Sequence, residues 1–233
     1  MVPGAVKNGG EHYKTFLRLF KESVDEGLIL EERLDDAVRR ILRIKFRSGI
    51  MDNPMTDRSL LKKAGSDKHK TIAREAVQKS LVLLKNDGIL PLISSKNYYV
   101  TGSGSDDIGK QCGGWTIKWQ GELGDITKGT SILDGIEEYA TTNRNNENEK
   151  FDAAVVVVGE DPYTEMKGDS DKLYLSKKDQ ESIDKVKKMN IPYVIVLITG
   201  RPLIINEIID NSNAFLVAWL PGTEGGGVAD VLF

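Results

Sequence analysis

Cysteine and histidine are almost absent. The 233-residue chain has one cysteine, Cys112, and two histidines, His12 and His69, far apart in sequence. Neither a disulfide framework nor a Cys/His zinc site can be built from that inventory, and no motif supports a metal held by carboxylates alone. No cofactor is expected. Net charge is also small: 32 Lys and Arg against 35 Asp and Glu leave −3 at pH 7, which gives no strong field toward nucleic acid or an anionic membrane. Long apolar runs are missing too. Nothing approaches the roughly 20 residues that a membrane-spanning helix needs, and the N-terminal MVPGAVKNGGEH has no apolar core of the signal-peptide kind.

What is present is periodic. EERLDDAVRRILRIKF places Leu34, Ala37, Val38, Ile41, Leu42 and Phe46 on one stripe before Gly49, and residues 12–26 repeat the pattern with Tyr13, Phe16, Leu17, Phe20 and Val24. Both read as amphipathic helices. From Gly49 to Ser66 the pattern dissolves into a connection marked by Pro54 and Gly65. Beyond it, short apolar strands interleave with helices. AAVVVVG and YVIVLITG are unbroken β-branched runs, as in strands covered on both faces, and SKKDQESIDKVKKM opens with Ser176 and Asp179 at capping-box spacing. The alternation predicts an α/β fold, a three-layer α/β/α sandwich around a mostly parallel sheet. The polar run TTNRNNENEK, 141–150, reads as a solvated loop.

In such sheets ligands bind beyond the carboxyl ends of the strands. Four loops lie there, and the one after AAVVVV, GEDPYTEMKGDS, carries Glu160, Asp161, Glu165, Asp169 and then Asp171. Asp161, Asp169 and Asp171 can simply solvate the rim, and most surface glutamates do nothing specific. Glu160 and Glu165 are both candidates for a catalytic carboxyl, because a carboxyl held near a tryptophan and away from water is pushed toward the range a general acid needs. Trp115 follows Gly113 and Gly114 in a polar loop without apolar periodicity, which suits an indole that stacks on a sugar face. Trp119 and Trp219 are expected to be buried. GSDDIGK, 104–110, fits G-x-x-x-x-G-K, but Gln111 replaces the Ser or Thr that would hold magnesium, Asp106 and Asp107 would sit among the phosphates, and the following CGGWT cannot open a helix.

Together RLDDAVRRILRIKF, AREAVQKSLVLLKN, QCGGWTIKWQG, GTSILDGI, VVVVGEDPYTEMKGD, ITGRPLII and LVAWLPGTEGGGVADVLF closely resemble glycoside hydrolase family 3, nearest its plant β-D-glucan exohydrolase and β-glucosidase branch. The resemblance runs through essentially the whole chain. It implies that residues 1–48 are terminal helices of a (β/α)8-like barrel whose remainder is missing, 49–66 a linker, and 67–233 a C-terminally truncated sandwich. It implies retaining hydrolysis of β-D-glucosides or β-glucans by two carboxyls about 5–5.5 Å apart. Glu165, in PYTEMKGD, maps to the acid/base, which leaves Glu160, Asp161 and Asp171 as expected scaffold or solvated rim, and Trp115, in CGGWT, maps to a wall of the clamp on the leaving-side sugar. The aspartate nucleophile belongs to the barrel, so the isolated chain is expected to be inactive. Implied partners are a β-glucoside or β-glucan oligosaccharide and the missing N-terminal barrel; the implied location is extracellular or cell wall. Gly104, Ser105, Asp106 and Asp107 stand where relatives often carry His-Ala-Asp-Asn, Lys110 where an aromatic is common and Met166 where Thr is common. A non-catalytic sugar-binding module or degenerate paralogue is the alternative, and retention of Glu165 speaks against it.

Overall fold

The computed structural model describes residues 12–143 and 150–233. It divides into two compact units, Met1–Lys62 and Lys63–Phe233.

In the first, α1 spans His12–Asp25 and α2 spans Glu31–Arg47. α2 begins with Glu31 and Glu32 and ends with Lys45 and Arg47, each sign matched to its end of the helix dipole. Asp35–Arg39 and Asp36–Arg40 lace its polar side at i,i+4 spacing. Phe16, Leu17, Ile41 and Phe46 are all exposed, so the apolar stripes predicted from sequence exist and are not covered.

The second unit is a six-stranded sheet in the order β1-β6-β5-β4-β2-β3. Its strands are β1 (Val82–Asn86), β2 (Asn97–Thr101), β3 (Thr141–Asn143), β4 (Ala153–Gly159), β5 (Tyr193–Ile198) and β6 (Ala214–Trp219). All neighbours are parallel except β1, which runs antiparallel to β6 at the edge. Alternation along β4 explains the layering: Ala153, Val155 and Val157 face one core cluster, and Ala154, Val156 and Val158 face the other. Val77 of α3 (Asp67–Ser80), Ile132 and Ile136 of α5 (Ile132–Glu137), and Val228 and Leu232 of α8 (Gly226–Leu232) fill the first. Ile183 and Val186 of α6 (Lys177–Lys188) fill the second, with Ile208 and Ile209 of α7 (Asn206–Asn211) packed against it. Each fully buried aliphatic side chain contributes about 1.5–3 kcal/mol. The expected α/β sandwich with a mostly parallel sheet is therefore the observed fold.

One element differs from expectation. Thr141, Thr142 and Asn143 are not loop but strand β3, paired in parallel with Asn97, Tyr98 and Tyr99. A three-residue polar edge strand is held by backbone bonds, so no side-chain pattern announces it. The rest of the predicted loop, 144–149, lies outside the described residues.

The clamp between the helices of the first face is ionic. Arg74 of α3 donates from Nε and Nη2 to Asp230 of α8 at 2.7 and 2.6 Å, Tyr139 Oη donates to the same carboxylate at 2.7 Å, and Gln78 also bonds it. Hydrogen bonds from Arg74, then from Tyr139 and Gln78, outweigh partial burial and hold Asp230 well below the usual carboxylate range.

Strand order positions the site. From β2 the chain steps outward to β3, then returns past β2 to β4 and continues the other way through β5 and β6. The reversal leaves a crevice between the carboxyl ends of β2 and β4.

Candidate active site

Across that crevice lies a cavity of about 290 Å³, lined by Lys110, Gly113, Gly114, Trp115, Glu160, Asp161, Pro162, Tyr163, Thr164, Glu165, Thr199, Gly200 and Leu220. Residues that follow β2, β4, β5 and β6 all contribute to its lining. A fully buried aspartate, Asp179, ties the two sides of the crevice: its carboxylate accepts from Ser103 Oγ at 2.6 Å, from the Gly159 amide at 3.4 Å and from Oγ of Ser176, the residue that caps its helix.

The segment that resembles a phosphate loop is committed elsewhere. Asp107 caps a short helix, α4 (Ile108–Cys112), accepting from the Lys110 amide at 2.7 Å and the Gly124 amide at 2.8 Å. This one-turn helix begins inside the motif and ends at Cys112, so CGGWT opens no helix, as expected, and a carboxylate occupies the N-terminus of α4. Lys110 is only 3% exposed, and its Nζ donates to the Gly159 carbonyl at 3.0 Å and to Asp161 Oδ1 at 2.7 Å. Gln111, fully buried, donates to the carbonyls of Thr130 and Gly222 and accepts from the Ile132 amide at 2.9 Å, joining three loops under the site. Sequence reasoning saw it only as a missing Ser or Thr.

Trp115 is 67% exposed. Trp119 and Trp219 were expected inside and are not: they are 39% and 38% exposed. Trp119 sits beside Trp115 with ring centroids 6.2 Å apart and planes at 57°, and the Trp115 amide donates to the Trp119 carbonyl at 3.0 Å. Their shared loop is turned outward by backbone bonds of this kind, which side-chain periodicity does not report. The loop approaches the acid loop backbone to backbone: a Cβ on Gly114 would collide with the Thr164 methyl and the Tyr163 carbonyl. Thr164 completes the join, its Oγ1 donating to the Trp119 carbonyl at 3.0 Å and its amide to Gln120 Oε1 at 3.2 Å.

Glu165 opens a 3₁₀ turn, Glu165–Gly168, with φ 23°, a region L-residues rarely occupy. Trp115 is likewise at φ 62°. Sparse backbone conformations at two cavity-lining residues require surroundings that over-determine them, and the acid loop has such a support. Glu160 Oε1 accepts from Arg201 Nε and Nη2 at 2.8 and 2.7 Å, and Oε2 accepts from Thr199 Oγ1 at 2.8 Å and Tyr163 Oη at 3.2 Å. Arg201 Nη1 donates to the Gly168 carbonyl at 2.6 Å, and its guanidinium lies 4.2 Å from the Tyr163 ring centroid. One arginine thus grips both ends of the segment that presents Glu165. Hydrogen bonding to Glu160 holds the guanidinium above its usual range, while burial, with help from the Glu160 charge, raises the Tyr163 phenol. Glu160 is scaffold, as expected, but its partner Arg201 was not legible. Glu165 itself is exposed, so the shielding from water expected around it is not supplied by the described residues. Among the described residues no three His, Cys, Asp or Glu side chains gather as metal ligands, and no described helix is long and apolar enough to cross a membrane.

The comparisons with known proteins converge on one family. Residues 81–233 match the model of the glycosyl hydrolase family 3 C-terminal domain. The chain is 31% identical to a lysosomal beta glucosidase of Dictyostelium discoideum, covering 94% of this chain and 31% of that protein. It is 27% identical to a periplasmic beta-glucosidase of Salmonella typhimurium, covering 96% and 35%. The exo-1,3/1,4-beta-glucanase of a Pseudoalteromonas species superposes with a TM-score of 0.86 at 39% identity, over 96% of this chain and 30% of that one. A variant beta-glucosidase of Listeria innocua, in complex with laminaribiose, gives a TM-score of 0.79 at 27% identity over 91% and 32%. The chain spans about a third of the length of these relatives. With the family's C-terminal domain matched across the loops of the cavity and the sheet that carries them, the chain belongs to glycosyl hydrolase family 3.

Proposed function

We propose that this chain supplies the C-terminal half of a retaining β-glucosidase or β-glucan exohydrolase site, with Glu165 as acid/base and Trp115 as the platform for the leaving-side sugar. The observation that carries it is the placement of Glu165 on a strained turn in the wall of the cavity that Trp115 also lines. A general acid must be presented at a fixed point against the leaving oxygen. The Arg201 clamp and the Thr164 latch provide that fixity from both flanks.

The second carboxyl, the nucleophile, would come from the family's barrel, which would also close the exposed side of Glu165 and exclude water. Protonation of the glycosidic oxygen by Glu165 would accompany attack on the anomeric carbon. Glu165 would then take a proton from the water that releases the sugar. Residues 1–48 would belong to that barrel, 49–66 to the linker and 67–233 to the sandwich. The chain alone would turn over no substrate. Passage of the whole protein out of the cytosol is in keeping with the lysosomal and periplasmic relatives.

The test joins this chain to a family barrel so that hydrolysis of an activated aryl β-glucoside can be followed. Glu165→Ala should slow turnover by orders of magnitude, and azide should restore it as the β-glucosyl azide forms. Near-normal activity of the variant, or no rescue by azide, would remove Glu165 from the role. Turnover by the 233-residue chain on its own would show that the barrel is dispensable.

A further inference from the structure

Lys110 and Asp161 form an ion pair in the cavity wall that neither clamps the acid loop nor fills the core. Lys110 is 3% exposed at its side chain while Asp161 is 71% exposed, and the two meet at 2.7 Å. A buried ammonium is costly unless its protons are accepted, and here one goes to the Gly159 carbonyl and one to Asp161 Oδ1. Asp161 gains no burial from the pair. What it gains is a fixed direction: one carboxylate oxygen is anchored to a point inside the sheet's end, and the carboxylate makes no other hydrogen bond to a described residue. Both residues line the same cavity as Trp115 and Glu165.

A pyranose presents an apolar face and a rim of hydroxyls. An indole covers the face, but the hydroxyls lose their water on docking and need acceptors. A carboxylate oxygen is the strongest acceptor available to them, since hydrogen bonds to ionised groups are about twice as strong as neutral ones. A carboxylate already held in place adds little ordering cost when the sugar arrives.

From this geometry we infer that Asp161, oriented by Lys110, binds hydroxyls of the glucose unit that stacks on Trp115 and so sets which leaving-side sugars are accepted. This deepens the proposed function and rests on its placement of a sugar at Trp115. Lys110 is a positioning residue in this scheme and Asp161 a specificity residue.

The test is direct binding of laminaribiose and cellobiose, and of monodeoxy analogues of each, to the 233-residue chain, followed by calorimetry and tryptophan fluorescence. Asp161→Ala should weaken binding of at least one disaccharide by roughly 10-fold or more, the loss expected for a hydrogen bond to a charged group. One monodeoxy analogue should bind the wild type with the same deficit and be insensitive to Asp161→Ala, which a merely structural residue would not produce. Asp161→Asn, which leaves Lys110 an oxygen to bond, guards against misfolding and should lose less. If binding depends on Trp115 but is unchanged in both Asp161 variants, the inference is overturned while the platform stands. If the wild type binds no disaccharide, or Trp115→Ala binds as well as wild type, the platform itself fails and the role of Asp161 falls with it.

Discussion

Thr164 Oγ1 donates a hydrogen bond to the carbonyl of Trp119 at 3.0 Å, so a single buried hydroxyl latches the loop that presents Glu165 to the loop that presents Trp115. Thr164→Val keeps the side chain's shape and removes the link between the two loops, leaving that carbonyl only the Trp115 amide of its own loop as donor. The expected cost is about 1–2 kcal/mol of stability, read from urea unfolding, with a change in tryptophan fluorescence as Trp119 shifts. Unaltered unfolding and emission would show that the latch is idle.

Arg201 should matter more than any single charged residue at the rim. Its paired bonds to Glu160 and its bond to the Gly168 carbonyl are made with both side chains largely shielded. Removal of one partner strands the other, so Glu160→Ala and Arg201→Ala should each destabilise by about 3 kcal/mol. The double variant should cost clearly less than the sum. A double-mutant cycle by chemical denaturation measures this, and strict additivity would deny the clamp.

Acid should loosen the contact between α3 and α8. Because Asp230 is held below its unfolded-state value of about 3.9, its contribution is fully present above that pH and drains away as pH falls toward the folded value. The stability difference between wild type and Asp230→Asn should be constant above about pH 5 and shrink below about pH 4. A difference that persists undiminished at about pH 2 would contradict the assignment.

Gly114 tests the backbone approach of the two loops. An added methyl meets Thr164 and Tyr163, which cannot withdraw without breaking the latch. Gly114→Ala should cost about 1–3 kcal/mol and lower the affinity for a sugar at Trp115. Gly114 does not have a positive φ, so this cost is steric and comes from the contact with Thr164 and Tyr163, and unchanged stability and affinity would deny the close approach.

The sheet was legible because its strands are unbroken β-branched runs buried on both faces: AAVVVVG and YVIVLI became β4 and β5 within a residue or two. β3 was not, since TTN carries no pattern and is defined by its partner. The same division runs through the site. Glu165 and Trp115 were found on local sequence features and family resemblance, and both line the cavity. Arg201, Thr164 and Gln111 were invisible because their meaning lies in partners tens of residues away. Trp119 was misjudged because a general preference for burial was applied to a loop whose backbone bonds turn it outward, and Trp219 because it closes β6 where the register with β5 shifts and its φ is 54°.

Those separations have a consequence for how the chain comes into being. The latch closes over 45 residues, the Glu160–Arg201 clamp over 41, and the Arg74–Asp230 clamp over 156. A polypeptide leaving the ribosome N-terminus first has Glu165 in hand well before Arg201 exists to hold its turn, and Arg74 of α3 must wait 156 residues before it finds Asp230. The candidate site is therefore assembled after synthesis of its own residues is complete. Any chaperone that meets this chain during translation meets Glu165 on an unsupported loop and the α3 face uncovered.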